Sequence, residues 1–104
     1  MKQTKKELFR IAIRNRGFTQ ELDPISTPHG RILIAQSIIP VWEPNENGVL
    51  SPLIRMAWAW ERDDVDSIAD LWVYASSTDE SRIALCRKEA ELWLADNLEV
   101  GRYA

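Results

Sequence analysis

The sequence has little of what enzyme active sites and metal centres are usually built from. It holds a single cysteine, Cys86, and a single histidine, His29. One cysteine excludes an intramolecular disulfide and a zinc site made of several thiolates, and it is typical of proteins in a reducing compartment. The four glycines are isolated from one another, so the chain has no glycine-rich phosphate loop. We therefore predict no catalytic residue, no metal, no cofactor and no enzymatic activity.

Long apolar runs are missing as well. The longest apolar stretch without a charge, Ile32 to Trp42, has 11 residues, whereas a membrane-spanning helix needs about 20. The charged N-terminus is not followed by the apolar segment of a signal peptide. The length suits one domain, residues 1–104. We expect a cytoplasmic protein that does not bind membranes.

Tryptophan is the residue in clear excess, with five in the chain. Its large ring dominates the burial energy of cores and interfaces, and it is enriched at binding hot spots. Trp72 and Trp93 fall on predicted apolar helix faces, so we assign them to the core. Trp42, Trp58 and Trp60 border an ambiguous segment, and we predict that these three contact a partner.

Helical signals are clearest near the two ends of the chain. Thr4 and Glu7 have the spacing of a capping box, which predicts a helix over residues 4–16. Capping residues and apolar spacing also predict helices over residues 64–75 and 78–98.

The last of these predicted helices has two apolar faces. At 100° per residue, one face is formed by Ile83, Cys86, Ala90, Trp93 and Leu94. Leu85 and Leu92 lie on the opposite face. We predict that this second face contacts a partner.

Residues 31–60 can be interpreted in two ways. Ser51-Pro52 is a good helix start, and the residues that follow favour helix by composition. Yet Ile54, Met56, Trp58 and Trp60 alternate with the period of a strand, and Asn47-Gly48 is typical of a hairpin turn. We predict a mainly α protein, a bundle of four to five short helices. The alternative is an α+β fold with a β-hairpin across residues 31–60 packed on the N- and C-terminal helices.

Charge is distributed unevenly along the chain. Residues 1–16 carry six basic side chains and one acidic one, whereas the whole chain has a net charge of −3. A basic face is predicted on the first helix, at Lys6, Arg10 and Arg14. An acidic cluster follows later in the sequence: Glu61, Asp63, Asp64, Asp66 and Asp70. These acids favour either a docking surface or the N-terminus of a helix, whose dipole attracts negative charge.

Residues 14–22, Arg-Asn-Arg-Gly-Phe-Thr-Gln-Glu-Leu, carry one local likeness. They resemble the junction between the first two helices of repressor-type helix-turn-helix domains. The likeness implies a second helix that begins near Thr19, and DNA binding. Asp23-Pro24 departs from the pattern where that helix should continue, and Ile32 to Ile39 is too apolar for a recognition helix.

By elimination, the sequence predicts a binding protein. We expect a small acidic intracellular inhibitor that occludes a larger protein or nucleoprotein machine, as phage-encoded anti-defence proteins, including anti-CRISPR proteins, do. The expected partner surface comprises Trp42, Trp58, Trp60, Asp63, Asp64, Asp66, Asp70, Leu85 and Leu92. The alternative is a DNA-associated regulator that binds through the basic N-terminal helix. A homodimer also stays open.

Overall fold

A computed structural model describes residues 3–62, 64–66 and 68–99, with side chains described as far as Asn97. These described residues form two helices and five strands. In chain order these are α1 (Lys5–Asn15), β1 (Gln20–Thr27), β2 (Gly30–Gln36), β3 (Val41–Pro44), β4 (Leu50–Glu61), β5 (Ile68–Tyr74) and α2 (Asp79–Glu99).

All five strands belong to one antiparallel sheet built around β4. One edge of β4 pairs with β2 along residues 56–61 and then with β3 along residues 50–53. The other edge pairs with β5, and β1 pairs with the outer side of β2. The backbone of Ser37 still donates to Arg55 after β2 ends, so β2 and β3 form one interrupted line along β4.

The predicted helical bundle is therefore wrong. The helix expected after Ser51-Pro52 is β4, and the helix expected over residues 64–75 is replaced by a loop and β5. The alternative with a hairpin across residues 31–60 lies closer to the structure, although it left out β1 and β5. Helix-favouring residues were overridden here by strand pairing and by burial on both faces of β4.

One face of the sheet packs on α2. The large side chains of Met56, Trp58 and Trp60 point to this face and are buried. The Trp60 indole Nε1 donates to the carbonyl oxygen of Ala90 in α2, at 3.0 Å. The apolar face predicted for the last helix is confirmed: Cys86, Ala90 and Leu94 are buried there, and Ile83 and Trp93 pack against them.

The opposite face packs on α1. Phe9 and Ile13 of the helix, together with Phe18 after it, lie over Ala57 and Ala59 of β4 and over Leu33 and Ala35 of β2. Small alanines on this face leave space for the rings of Phe9 and Phe18. The alternation of large and small residues along β4 thus reflects two different neighbours, one on each face.

Helix α1 begins where the sequence predicted. The Thr4 side chain accepts from the Glu7 backbone and the Glu7 side chain accepts from the Thr4 backbone, so the predicted capping box is confirmed. The second helix implied by the helix-turn-helix likeness is absent from this part of the described chain: Phe18 belongs to the core and Gln20 begins β1. In the residues that the structure describes, neither helix has the length and apolarity needed to cross a bilayer.

Candidate functional site

An exposed apolar hairpin arm extends from the sheet. The arm comprises residues 38–53, which form β3, its turn and the first part of β4. Its register pairs Val41 with Leu53 and Trp42 with Pro52. The arm continues past the end of β2, while both helices pack mainly on β2 and on the buried half of β4. The exposed large apolar residues of the arm are Ile38, Ile39, Val41, Trp42, Val49 and Leu50.

Both faces of the arm are apolar. Trp42 and Leu50 lie on the same face of the sheet as α2, because residues alternate along β4 and Trp42 is paired with Pro52. Val41 and Leu53 lie on the face that carries α1. Trp42 has 60% of its surface exposed, although a tryptophan in a monomer is usually largely buried. A single flat surface can cover one face of such an arm but not both.

The tip of the arm is held in one conformation by its own hydrogen bonds. The Asn45 side-chain oxygen accepts from the backbone N–H groups of Asn47, at 2.9 Å, and Val49, at 3.0 Å. Gly48 adopts a φ of 76°, which favours glycine, and its N–H donates to the Asn45 carbonyl. A preformed tip loses less conformational entropy when it docks.

The charge of the arm is negative. No lysine or arginine occurs from Ile32 to Ile54, whereas Glu43 and Glu46 lie on the arm. The first basic residue after this segment, Arg55, forms an ion pair with Asp70 of β5. The arm therefore presents apolar side chains with carboxylates around them.

Beside the arm, the sheet face that carries α1 has an uncovered region. The register places Val41, Leu53 and Tyr74 in one row across β3, β4 and β5, with Trp72 opposite Arg55 in the next row. Trp72 is 51% exposed and Tyr74 is 56% exposed. The assignment of Trp72 to the core is therefore wrong, since its position in β5 points its ring to this uncovered region.

Two of the three tryptophans predicted to contact a partner lie in the core instead. Trp58 and Trp60 are buried between the sheet and α2, and Trp58 packs edge-on against Trp93 with ring centroids 6.3 Å apart. Both side chains point from β4 toward α2, so they cannot reach a partner in the folded protein. Trp42 remains at the surface.

The predicted acidic cluster is largely paired within the protein. Glu61 binds Arg31 at 2.7 Å and Asp64 binds Arg62 at 2.8 Å. The hydrogen bond from Arg62 lowers the pKa of the Asp64 carboxyl below its ordinary value.

Asp70 binds two arginines. It accepts from Arg16, at 3.1 Å, and from Arg55, whose guanidinium lies 4.6 Å from the centre of the Phe18 ring. These contacts connect the end of α1 to β4 and β5. Asp66 and Asp70 lie in a loop and a strand rather than on one helix, and Asp63 lies outside the described residues.

The basic face is partly neutralised as well. Arg10 binds Glu21 of β1 at 2.7 Å. Lys6 lines a shallow groove of about 870 Å³ together with Arg31, Glu61 and Asp66. Arg14 is exposed on the same helix.

The outer face of α2 is exposed. Leu85 and Leu92 are uncovered there, as their positions on the helix predicted. Leu92 lines a groove of about 340 Å³ with Arg87, Lys88 and Glu91. Two leucines among charged residues form a much smaller apolar surface than the arm.

The single histidine and the single cysteine lie in different parts of the fold. His29 is exposed in the turn between β1 and β2, and Cys86 is buried on the side of α2 that faces the core. Burial raises the pKa of the Cys86 thiol to about 12. Among the described residues, no group of three or more histidine, cysteine, aspartate and glutamate side chains could hold a metal ion.

The burial of Cys86 predicts how the stability of the protein changes in alkali. From the ordinary thiol pKa of 9.0 up to the folded value of about 12, the unfolded chain loses a proton that the folded chain keeps. The free energy of unfolding should then fall by up to about 1.4 kcal/mol per pH unit. Cys86→Ala lacks this component, so the stability advantage of the wild type over the variant should shrink above pH 9 in urea titrations. An advantage that stays constant up to about pH 11 would contradict this prediction.

Comparison with models of known protein families, with curated proteins and with solved structures finds no match for this chain.

Proposed function

We propose that this chain is a non-enzymatic protein-binding module that inserts its hairpin arm into a cleft of a larger protein and inhibits that protein by occupying the cleft. The observation that carries the proposal is the exposure of apolar side chains on both faces of the arm. Large contiguous apolar patches on a monomer are typical of interaction sites. The proposal includes a cytoplasmic location, because a single unpaired cysteine suits a reducing compartment.

The shape of the arm defines the shape of its receptor. Trp42 and Leu50 lie on one face, and Val41 on the other. Only a cleft with two apolar walls removes both sets of side chains from water. Trp42 supplies the large ring that hot spots favour, and the hydrogen bonds of Asn45 hold the tip ready for insertion.

The charge of the arm defines the rim of the cleft. Glu43 and Glu46 would face basic side chains of the partner, because the arm carries no lysine or arginine to attract acids. Complementary charge of this kind raises association rates and makes them depend on salt.

The acidic cluster has no part in this proposal. Glu61, Asp64 and Asp70 already have arginine partners within the protein, and a partner would have to replace those contacts. The basic face also has weaker support as a DNA contact, because Arg10 is paired with Glu21 and α1 is followed by β1 rather than by the second helix of a helix-turn-helix domain.

The arm predicts which substitution abolishes binding. A partner captured from host lysate on the immobilised protein is identified by mass spectrometry, and its affinity is then measured with purified components. Trp42→Lys should weaken that affinity at least about 30-fold, because it removes a hot-spot ring and places a cation in an apolar cleft. Leu92→Lys is the matched control on the outer face of α2 and should change the affinity little.

Several outcomes would overturn the proposal. Undiminished binding by Trp42→Lys, together with lost binding by Leu92→Lys, would place the interface on α2. Salt-dependent binding of DNA that is lost when Lys6, Arg10 and Arg14 are reversed would support the regulator instead. Circular dichroism of each variant should match the wild type, so that lost binding is not lost folding.

A further inference from the structure

The outer edge of β5 is available for pairing with another strand. Within the described part of the chain, β5 pairs with β4 alone. Helix α2 follows β5 but crosses back over β4 and β2, where it makes its main contacts. The residues that the structure describes therefore leave this edge uncovered along Ile68–Tyr74.

The backbone groups on this edge can be assigned from the register. The N–H of Ala75 donates to the carbonyl of Pro52, at 2.9 Å, and this contact continues the pairing of β4 with β5. In an antiparallel pair, residues alternate between those bonded to the neighbour and those pointing away. Val73 and Leu71 are therefore bonded to β4. The N–H groups of Asp70, Trp72 and Tyr74 point outward, as do the carbonyls of Asp70 and Trp72.

The other edges of the sheet carry features that oppose pairing. In β1, Pro24 lies in a register shift between Leu22 and Ile25. The short strand β3 is bordered by Pro40 and ends at Pro44. Proline, bulges and short length are the usual protection of an edge.

Strand β5 has none of this protection. Its sequence, Ile-Ala-Asp-Leu-Trp-Val-Tyr, contains no proline and no lysine. Its one charge, Asp70, is already paired with Arg16 and Arg55. An unprotected apolar edge of this length is a template for another strand.

We propose that β5 pairs with β5 of a second copy of this chain, antiparallel and about a two-fold axis at Leu71. The sheets of the two copies then join into one. In this register, Asp70 of each copy lies opposite Trp72 of the other, and each such pair exchanges both of its hydrogen bonds. The N–H of Tyr74 reaches the carbonyl of Ile68 in the second copy, while the Tyr74 carbonyl stays bonded to Ser77.

A second copy fits this edge because the edge is self-complementary. Outward groups on Asp70 and Trp72 are placed symmetrically about Leu71, so the N–H of each meets the carbonyl of the other when the strand pairs with itself. The two Asp70 carboxylates are not opposite each other, which avoids repulsion of like charges. Trp72 and Tyr74, both half-exposed, pack across the junction against Asp70 and Ile68 of the second copy.

The size of the junction sets its strength. A seven-residue strand is roughly 24 Å long at the rise of an antiparallel strand. Its edge and two aromatic rings bury several hundred Å² per copy, less than the roughly 800 Å² per partner of a standard stable interface. We therefore expect a dissociation constant on the order of 10 µM. Since β3 of the arm pairs with the edge of β4 opposite to β5, dimerisation through β5 leaves both arms free.

Sedimentation equilibrium and hydrogen exchange of the full chain over a concentration series test this proposal. The wild type should shift from monomer to dimer near 10 µM, and the amides of Asp70, Trp72 and Tyr74 should exchange more slowly as the dimer forms. Trp72→Pro removes an outward N–H without removing a bond to β4, so it should be monomeric and folded. Trp72→Glu, a second variant, should weaken the dimer because it places a carboxylate directly opposite Asp70 of the second copy.

Trp42→Lys is the matched control, since it changes an exposed tryptophan of the arm and should leave the dimer intact. A wild type that stays monomeric at several hundred µM would overturn the proposal. So would a dimer that survives Trp72→Pro but is lost in Trp42→Lys, because that dimer would be formed by the arms. Protection of the Asp70 and Trp72 amides that arises only when another protein is added would show that the edge takes a foreign strand. Partner capture by Trp72→Pro tests the arm separately.

Discussion

Trp60→Ala should lower the free energy of unfolding by about 3–5 kcal/mol. Trp60 is only 1% exposed and has the largest fully buried side chain of the described core. Its removal leaves a cavity between β4 and α2 that the surrounding strands and helix cannot close. It also removes the indole hydrogen bond to Ala90, which connects the sheet to the helix. A small domain is typically stable by only about 5–15 kcal/mol, so this change would remove a large share of the total.

Urea denaturation followed by circular dichroism measures the effect. Trp60→Phe should fall between the wild type and Trp60→Ala, because a ring still fills much of the space while the hydrogen bond is lost. Trp42→Ala is the matched control: the same substitution at an exposed tryptophan should change stability by less than about 0.5 kcal/mol. Equal losses for Trp60→Ala and Trp42→Ala would contradict the burial of Trp60 between the sheet and α2.

The residues of β4 around Trp60 show why the fold class predicted from the sequence was wrong. Met56, Trp58 and Trp60 alternate as in a strand, but Ala57 and Ala59 between them are apolar too. A half-exposed strand would alternate with polar residues, whereas β4 is covered by α1 on one face and α2 on the other. Two-sided burial removes the contrast on which period counting depends. Alanine, methionine and arginine then favoured helix by composition.

The helices were predictable because their signals are local. The capping box of Thr4 and Glu7 involves residues three apart, and the apolar face of α2 repeats within one segment. Strand β5 depends instead on its pairing with β4, which no short pattern in Ile68–Tyr74 reveals. Trp72 was therefore given a helical position and a place in the core.

Part of the candidate site was visible in the sequence. Trp42 was predicted to contact a partner and is exposed on the arm, but Ile38, Ile39, Val49 and Leu50 were missed. A usable signal was present: no lysine or arginine occurs from Ile32 to Ile54, although the segment contains a hairpin turn. The pairing of the acidic cluster was not visible, because Glu61 binds Arg31 and Asp70 binds Arg16 across long stretches of sequence.

Phe9→Ala should produce a loss of similar size, about 3–5 kcal/mol, on the other face of the sheet. Phe9 is the most deeply buried residue of α1 and lies over the alanines of β4. Because those alanines are small, they cannot fill the space that Phe9 leaves. Leu8→Ala is the matched control on the same helix, since Leu8 is 46% exposed and its truncation should cost about 1 kcal/mol or less.

Phe9→Ala and Trp60→Ala should accelerate hydrogen exchange in different helices. Phe9→Ala weakens the layer formed by α1, whose far end is still held to β4 and β5 by Arg16 and Arg55 on Asp70. Amides of α1 should therefore exchange faster than those of α2 in Phe9→Ala, while Trp60→Ala should speed exchange in α2. Uniform acceleration across both helices in Phe9→Ala would show instead that the two faces of β4 unfold as one unit. The arm lies outside both buried clusters, so the proposed binding through Trp42 should persist in the folded fraction of either variant.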